Sequence, residues 1–394
     1  MAFLPDFRLE TYFSRWEFVA RHNLAASDAQ TLTLAELLEL ADDDSRARWI
    51  ALDLSYTETP GLPALRDEIA ATYEHVDAAD VLTFAGAEEG LYLAMQVLLE
   101  PSDHAVVVTP NYQAAETVPL AICGPSGVTG VQLREDEGWA LDVDTVQAAL
   151  RPSTKLISVN SPNNPTGATA DERAWRRLVE LSDDAGVRLF SDEVYRGLER
   201  PPRRPLPQAA DLSPTALSLN VLSKAYGLPG LRLGWIACRD RGLLGRLERA
   251  KHYTSICNPG PSEVLALAAL RAREPILARN RAIVTANLPL VDAFAARFAS
   301  LVEWSPPDGG CVAFPRYRGA DGVEHMCAQL VREEGILLLP ASVFASDLTA
   351  TPTDRFRLGV GRRDVAEGLA RWAEWLDGRP MADTDPEKTR AARS

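Results

Sequence analysis

The chain has 394 residues, a length that fits two domains or one large α/β domain with an appendage. Hydrophobic residues at 46% and charged residues at 24% match folded soluble chains and exclude disordered, collagen-like and coiled-coil classes. With 41 Lys+Arg against 55 Asp+Glu, the formal charge of −14 repels phosphate backbones and anionic lipid, so nucleic acid and membrane are set aside as partners.

The amino end, MAFLPDFRLETYF, interrupts any apolar run with Asp6, Arg8 and Glu10. A secretory signal is therefore not expected, and no apolar segment is long enough to span a bilayer. Tyr12, Phe13 and Trp16 have the spacing of a core-facing helix stripe, which outweighs an aromatic lid. Further on, Glu89 to Leu98 reads as a helix. Apolar, β-rich runs follow at His104–Thr109, Lys155–Asn160, Val187–Val194, Leu217–Ser223 and Leu231–Cys238. Their continuous hydrophobicity predicts burial on both faces, and the amphipathic stretches between them predict a mostly parallel sheet with helical crossovers. Thr169 and Glu172 have capping-box spacing ahead of Trp175, Leu178 and Val179, which predicts a crossover helix there. KAYGLPG between the last two strands is too short for a helix, which leaves room for an antiparallel strand in the sheet.

Arg200 to Pro207 (RPPRRPLP) reads as a surface loop. After about residue 285 the rhythm changes to a helix at Ile283–Leu301, short strands near Cys311–Pro315 and Ile336–Leu339, and a final helix at Val365–Leu376. The expected organisation is an amino-terminal segment, 1–45, joining a small α+β domain at 286–380. A large domain occupies 46–285 and a tail 381–394. The five cysteines are odd in number and form no C-x-x-C pair, so neither disulfides nor a zinc site is suggested and a reducing cytoplasm fits.

The chain contains no G-x-x-x-x-G-K-[ST], no G-x-G-x-x-G after a strand and no G-x-S-x-G. Special segments instead lie near strand ends, where open α/β sheets bind ligands: Gly86-Ala-Glu-Glu-Gly90, Asn111-Tyr112, SPNNPTG at 161–167, SDEVY at 191–195 and SKAYGLPGLR at 223–232. In kind, order and spacing they resemble the pyridoxal-phosphate (PLP) enzymes of the aspartate-aminotransferase superfamily, fold type I. The likeness runs roughly from Tyr56 to Arg357. It implies an α/β fold with a mostly parallel seven-stranded sheet, helices on both faces and a smaller α+β domain.

A desolvated lysine near another cation loses its proton and can form an imine with an aldehyde, and Lys224 after an apolar strand fits that chemistry. By the same resemblance, Asp192 pairs with the pyridinium N–H, with Glu193 expected to be exposed. Tyr195 and the amide of Asn164 donate to the ring 3′-oxygen, and Tyr112 stacks on the ring. Arg232, Ser223 and the backbone of Gly86 and Ala87, with Glu88 at the adjoining position, form the phosphate cup. Arg357 takes the substrate carboxylate, with Asn164 beside it, although Arg355, Arg362 and Arg363 compete for that role. Tyr56 reaches the phosphate of a neighbouring subunit, which implies a homodimer with shared active sites.

Two positions depart from the pattern. Val221 stands where a hydroxyl residue is usual, and Glu88 brings a carboxylate to the phosphate cup. The implied activity is transamination between an α-amino acid and a 2-oxo acid, with pyridoxal 5′-phosphate held by Lys224. SKAYGLPGLR, GGCVAFPRY and GILLLPASVF are also similar to capreomycidine synthases, which cyclise a hydroxylated arginine. That leaves a PLP-dependent cyclase, eliminase or oxidase as the alternative.

Overall fold

Alternate residues of the central strands pack into two different cores. Val106, Val108, Ile157, Val159 and Leu189 join Trp175 and Leu178 on one side. Ala105, Val107, Leu156, Phe190 and Leu219 join Leu91, Met95 and Val118 on the other. Successive side chains of a strand point to opposite faces, so helices must cover both sides, as the continuous apolar runs require.

The computed structural model describes residues 4–379, and the expected tail lies outside them. Seven strands make the central sheet: β1 (Val81–Phe84), β2 (His104–Thr109), β3 (Val128–Gln132), β4 (Thr154–Asn160), β5 (Arg188–Asp192), β6 (Leu217–Val221) and β7 (Gly234–Ala237). Their order is β1-β7-β6-β5-β4-β2-β3. All run parallel except β7, which pairs antiparallel with both neighbours, as the short KAYGLPG connection demands. β1 and β3 do not stand out in the sequence, being short or interrupted by glycine.

This topology positions the site. The carboxyl ends of β1, β2, β4, β5 and β6 open on one edge, and the amino end of the reversed β7 opens there too. Gly86, Tyr112, Asn164 and Lys224 follow those strand ends, Asp192 is the last residue of β5, and Arg232 precedes β7.

The helices include α1 (Arg8–Trp16), α2 (Ala87–Leu98) and α3 (Glu172–Asp184). The expected capping box does not form at α3. Asp171 is the cap, accepting from the Arg173 and Ala174 amides at 2.9 and 3.4 Å, while the Thr169 hydroxyl has no partner. A carboxylate directly before the first turn reaches those donors better than a hydroxyl two residues upstream. The helix expected at Ile283–Leu301 is the second half of a longer one, Arg273–Arg297. Its charged first half conceals a buried stripe of Ile276, Leu277 and Asn280.

The amino-terminal segment is built into the carboxy-terminal part of the fold. His22–Asn23 pairs in parallel with Ile336–Leu337. The Gly359 amide donates to the Leu24 carbonyl at 2.7 Å, and the Gln30 amide to the Gly361 carbonyl at 2.8 Å. Close approach requires glycine here: a Cβ on residue 359 would lie 2.3 Å from the Ala26 carbonyl oxygen. Gly359→Ala should therefore unseat residues 24–28 and cost about 1–3 kcal/mol, measured by urea unfolding.

Candidate active site

β6 ends at Val221, and three residues later the chain turns inward with Lys224. Its ammonium nitrogen donates to the Ser27 hydroxyl at 2.9 Å. Burial lowers its proton affinity and the nearby Arg357 lowers it further, against the pull of Asp28, Glu10 and Asp192. A lysine so placed is more readily available as a free amine than one in water.

Asp192 closes β5. One carboxylate oxygen accepts from the Val194 amide at 3.2 Å, and Asn160 donates to the Asp192 carbonyl at 3.0 Å. Burial pushes its pKa up to about 7, so it lacks a fixed cation strong enough to hold it ionised. Glu193, expected to be exposed, is buried instead. It accepts from the Ser191 and Ser218 hydroxyls at 2.8 Å each and from the Ala209 amide at 2.9 Å. Those three donors explain how a carboxylate can occupy the core, and they make Glu193 part of the scaffold.

Tyr195 is 1% exposed, and its hydroxyl has no hydrogen-bond partner. Asn164 directs its Oδ1 to Arg357 at 3.1 Å, leaving its NH₂ group free to donate elsewhere. Tyr112, half-buried, donates its hydroxyl to Glu10 at 3.0 Å and packs on Phe7 with ring centroids 5.0 Å apart.

An anion cradle lies beside these groups. Gly86, at φ +91°, precedes the twelve-residue α2, whose first amides have no partner within the helix. A Cβ on Gly86 would lie 2.5 Å from Nη2 of Arg232, so the guanidinium faces the Gly86 backbone directly. Arg232 itself adopts φ +48°, and its Nη1 lies 3.4 Å from the Ser223 hydroxyl. A guanidinium, a hydroxyl and helix N-terminal amides converging on one space are a donor set for a phosphate.

The two departures have distinct structural outcomes. Val221, 2% exposed, packs with Val194, Tyr195 and Ala87, filling the floor with apolar contacts. Glu88 turns toward Tyr112 and Glu10. Burial chiefly, and then Glu10, raises its pKa to about 7. Near neutrality it is partly protonated, which limits its repulsion of a phosphate.

Arg357 is fully buried. It donates to the Ala25 carbonyl at 2.7 and 3.2 Å and to Asn164, between the rings of Phe13 and Phe344 at 5.6 and 5.5 Å. Its competitors are committed elsewhere: Arg355 to Glu135, Arg362 to Asp28 at 2.7 Å, while Arg363 is exposed. Phe13 therefore serves both the helix stripe and the site. Tyr56 is 88% exposed and makes no hydrogen bond to these groups among the described residues.

Ser27, Asn160, Glu10 and the Ala25 carbonyl were not legible in the sequence. The run LAASDAQ carried only small residues as a signal, and no motif marks a backbone carbonyl.

The sequence profile described as "Aminotransferase class I and II" matches residues 22–371. The chain belongs to that family. It is 31% identical over 380 residues to capreomycidine synthase of Streptomyces vinaceus, covering 95% of this chain and 94% of the relative. It is 29% identical over 360 residues to an arginine–pyruvate transaminase of Pseudomonas aeruginosa, covering 89% and 88%. A PLP-dependent aminotransferase of Streptococcus suis superposes with a TM-score of 0.87 at 29% identity, over 96% of this chain and 100% of that one. The fold is that of the fold type I PLP enzymes, and pyridoxal 5′-phosphate is the cofactor. The orphan Tyr195 hydroxyl, the uncompensated Asp192 and the donor cradle at Gly86 fit it.

Two outcomes are expected. Arg232→Ala should weaken PLP binding about tenfold or more in a titration of apoprotein, as loss of a charge-assisted contact implies. Because burial raises the Glu88 pKa above its unfolded value, its stabilising contribution is complete below about pH 4.5 and is lost as pH rises through about 7. Glu88→Gln should therefore lessen the fall in apoprotein Tm between about pH 5 and pH 8.

Proposed function

We propose that this enzyme is an aminotransferase exchanging an amino group between an α-amino acid and a 2-oxo acid. The observation that carries it is the buried Lys224 amine set among Asp192, Tyr195 and Arg357. Arg357 binds and orients the α-carboxylate with its guanidinium, and the Phe13 and Phe344 rings exclude water around that contact. Lys224 takes the α-proton as a free amine, and the Ser27 hydroxyl at 2.9 Å steadies its nitrogen. Asp192 would pair with the ring N–H of the cofactor, Tyr195 would donate to its 3′-oxygen, Arg232 and the Gly86–Ala87 amides would hold its phosphate, and Tyr112 would cover its face. PLP supplies the electron sink into which the Cα–H electrons flow.

A relative whose name states arginine and pyruvate as its substrates supports the pairing of an amino acid with a 2-oxo acid. Tyr56, exposed at 88%, belongs in this reading to a homodimer interface, where it reaches the neighbouring subunit's phosphate.

The similarity to capreomycidine synthase favours a second reading, in which the same proton abstraction ends in cyclisation, elimination or oxidation without a 2-oxo acid. Supplying amino acids with and without a 2-oxo acid separates the two. Transamination consumes the 2-oxo acid one for one; turnover without it selects the second reading. Borohydride should fix a pyridoxyl group on the Lys224 peptide, and label on another lysine would displace Lys224 from its role. Lys224→Ala should keep the fold and lose turnover by at least about a thousandfold, since a positioned proton-transfer group is removed together with the covalent anchor.

A further inference from the structure

The loop that follows β3, the edge strand of the central sheet, grips the strand that carries Arg357. Residues 134–140 form a tight turn closed between Arg134 and Ala140, whose backbone amides donate to each other's carbonyls at 2.9 and 3.3 Å. Glu135 leaves this turn and presents one oxygen, Oε1, to two arginines. It accepts from Nε and Nη2 of Arg355 at 3.0 and 2.5 Å and from Nη2 of Arg316 at 2.5 Å. The Arg355 side chain is only 11% exposed, and its Nη1 donates to the Phe314 carbonyl at 2.6 Å. Arg355 stands directly ahead of the strand Phe356–Gly359, two residues before Arg357.

The same turn holds a backbone outlier. Trp139 adopts φ +67°, a left-handed conformation that is costly for a bulky side chain, next to Gly138 at +68°. Residues 136–138 are exposed, whereas Trp139 is half-buried. Its ring lies 5.1 Å from the Arg355 guanidinium and 6.1 Å from the Phe314 ring. Phe314 meets Phe344 edge-on at 5.6 Å, and Phe344 lies 5.5 Å from the Arg357 guanidinium. The turn thus reaches Arg357 by two routes, an ion pair two residues upstream and a run of three rings that ends on the guanidinium.

Both routes depend on the turn staying in place. Arg316 and Arg355 are opposite one another as antiparallel bridge partners, so without Glu135 two like charges would face each other. Arg316 would retain Asp354 at 3.0 Å, but among the described residues Arg355 has no carboxylate besides Glu135. A largely buried guanidinium stripped of its anion shifts toward water and takes the start of its strand with it. A left-handed tryptophan, in turn, persists only where its surroundings over-determine it.

We propose that Glu135 and Trp139 are positioning residues for Arg357, fixing through Arg355 and the Phe314 and Phe344 rings where the guanidinium meets the substrate α-carboxylate. This rests on the reading of Arg357 as the carboxylate-binding group. Among the described residues, none of the side chains that Glu135 and Trp139 meet in these contacts belongs to the phosphate cradle, so their effect falls on the substrate and leaves the cofactor in place.

The test uses PLP-loaded enzyme and reads the dissociation constants of L-alanine and L-alaninamide from the absorbance of the bound chromophore. The two probes share the amine, Cα and methyl group and differ at the carboxylate. Unaltered enzyme should bind L-alanine about tenfold or more tightly than its amide. Glu135→Gln and Trp139→Gly should each narrow that ratio about fivefold or more while PLP affinity stays within about twofold, because a small displacement of the guanidinium costs the carboxylate contact alone. Arg355→Gln should narrow the ratio as much as Glu135→Gln does, and the double variant no further, since the two residues act as a unit. An unchanged ratio in either the Glu135 or the Trp139 variant overturns the inference. So does a fall in PLP affinity as large as the fall in the ratio, which would make the turn general scaffold, and so do additive effects in the double variant. If these arms fail while unaltered enzyme prefers L-alanine, the inference alone is lost. Unaltered enzyme that does not prefer L-alanine to its amide overturns the reading of Arg357 as well.

Discussion

The burial of Arg357 is the constraint on which the site depends. A guanidinium removed from water and left without an anion is costly, and burial lowers its pKa to about 10. The fold meets that cost with the Ala25 carbonyl, the Asn164 amide oxygen and two aromatic rings, all neutral. Neutral partners leave the positive charge unspent on the protein and available to a carboxylate. Burial chiefly, and this guanidinium after it, depresses the proton affinity of Lys224, so in the proposed function one buried charge would both prepare the amine and take the acid group of the substrate.

That arrangement requires parts distant in sequence to meet. Ala25 and Ser27 come from the amino-terminal segment, Asn164 from the loop after β4, Lys224 from the turn after β6 and Arg357 from Phe356–Gly359. Gly359 and Gly361 allow residues 24–30 to lie directly on the strand that carries Arg357. The Ser27 hydroxyl is thereby held within hydrogen-bond distance of Lys224. Packing of residues 24–30 on the Arg357 strand thus fixes the distance between the Lys224 amine and the Arg357 guanidinium, and in the proposed function a small shift there would be a shift in catalytic geometry.

The sheet and its edge were readable because buried parallel strands leave uninterrupted apolar runs, and because the residues that end them, from Asn164 to Arg232, are unusual in kind and close in sequence. β1 and β3 escaped, since VLTF is short and VTGVQ carries a glycine. Glu193 was misplaced because a carboxylate after Asp192 ordinarily turns to water, and only the folded structure brings Ser191, Ser218 and the Ala209 amide around it. Ser27 and Ala25 could not be read at all. A small hydroxyl and a backbone carbonyl have no sequence signature, and their function arises from the close approach at Gly359.

Val221 and Glu88 are two departures with separate structural consequences. The usual hydroxyl at the end of β6 would contribute to a phosphate cup that a helix N-terminus, Ser223 and Arg232 already line. Replacing it by valine lets Val194, Tyr195 and Ala87 close over an apolar floor and holds the Tyr195 ring in place. Glu88, on the first turn of α2, then faces Tyr112 and Glu10, where burial and like charge keep it only partly ionised near neutral pH. The first turn of a helix favours a negative group, so the α2 dipole offsets part of the cost of leaving this carboxylate unpaired. On the proposed reading of the cup, an apolar contact stands where a hydroxyl donor is usual, and Glu88 adjoins the phosphate space as a partly protonated carboxyl.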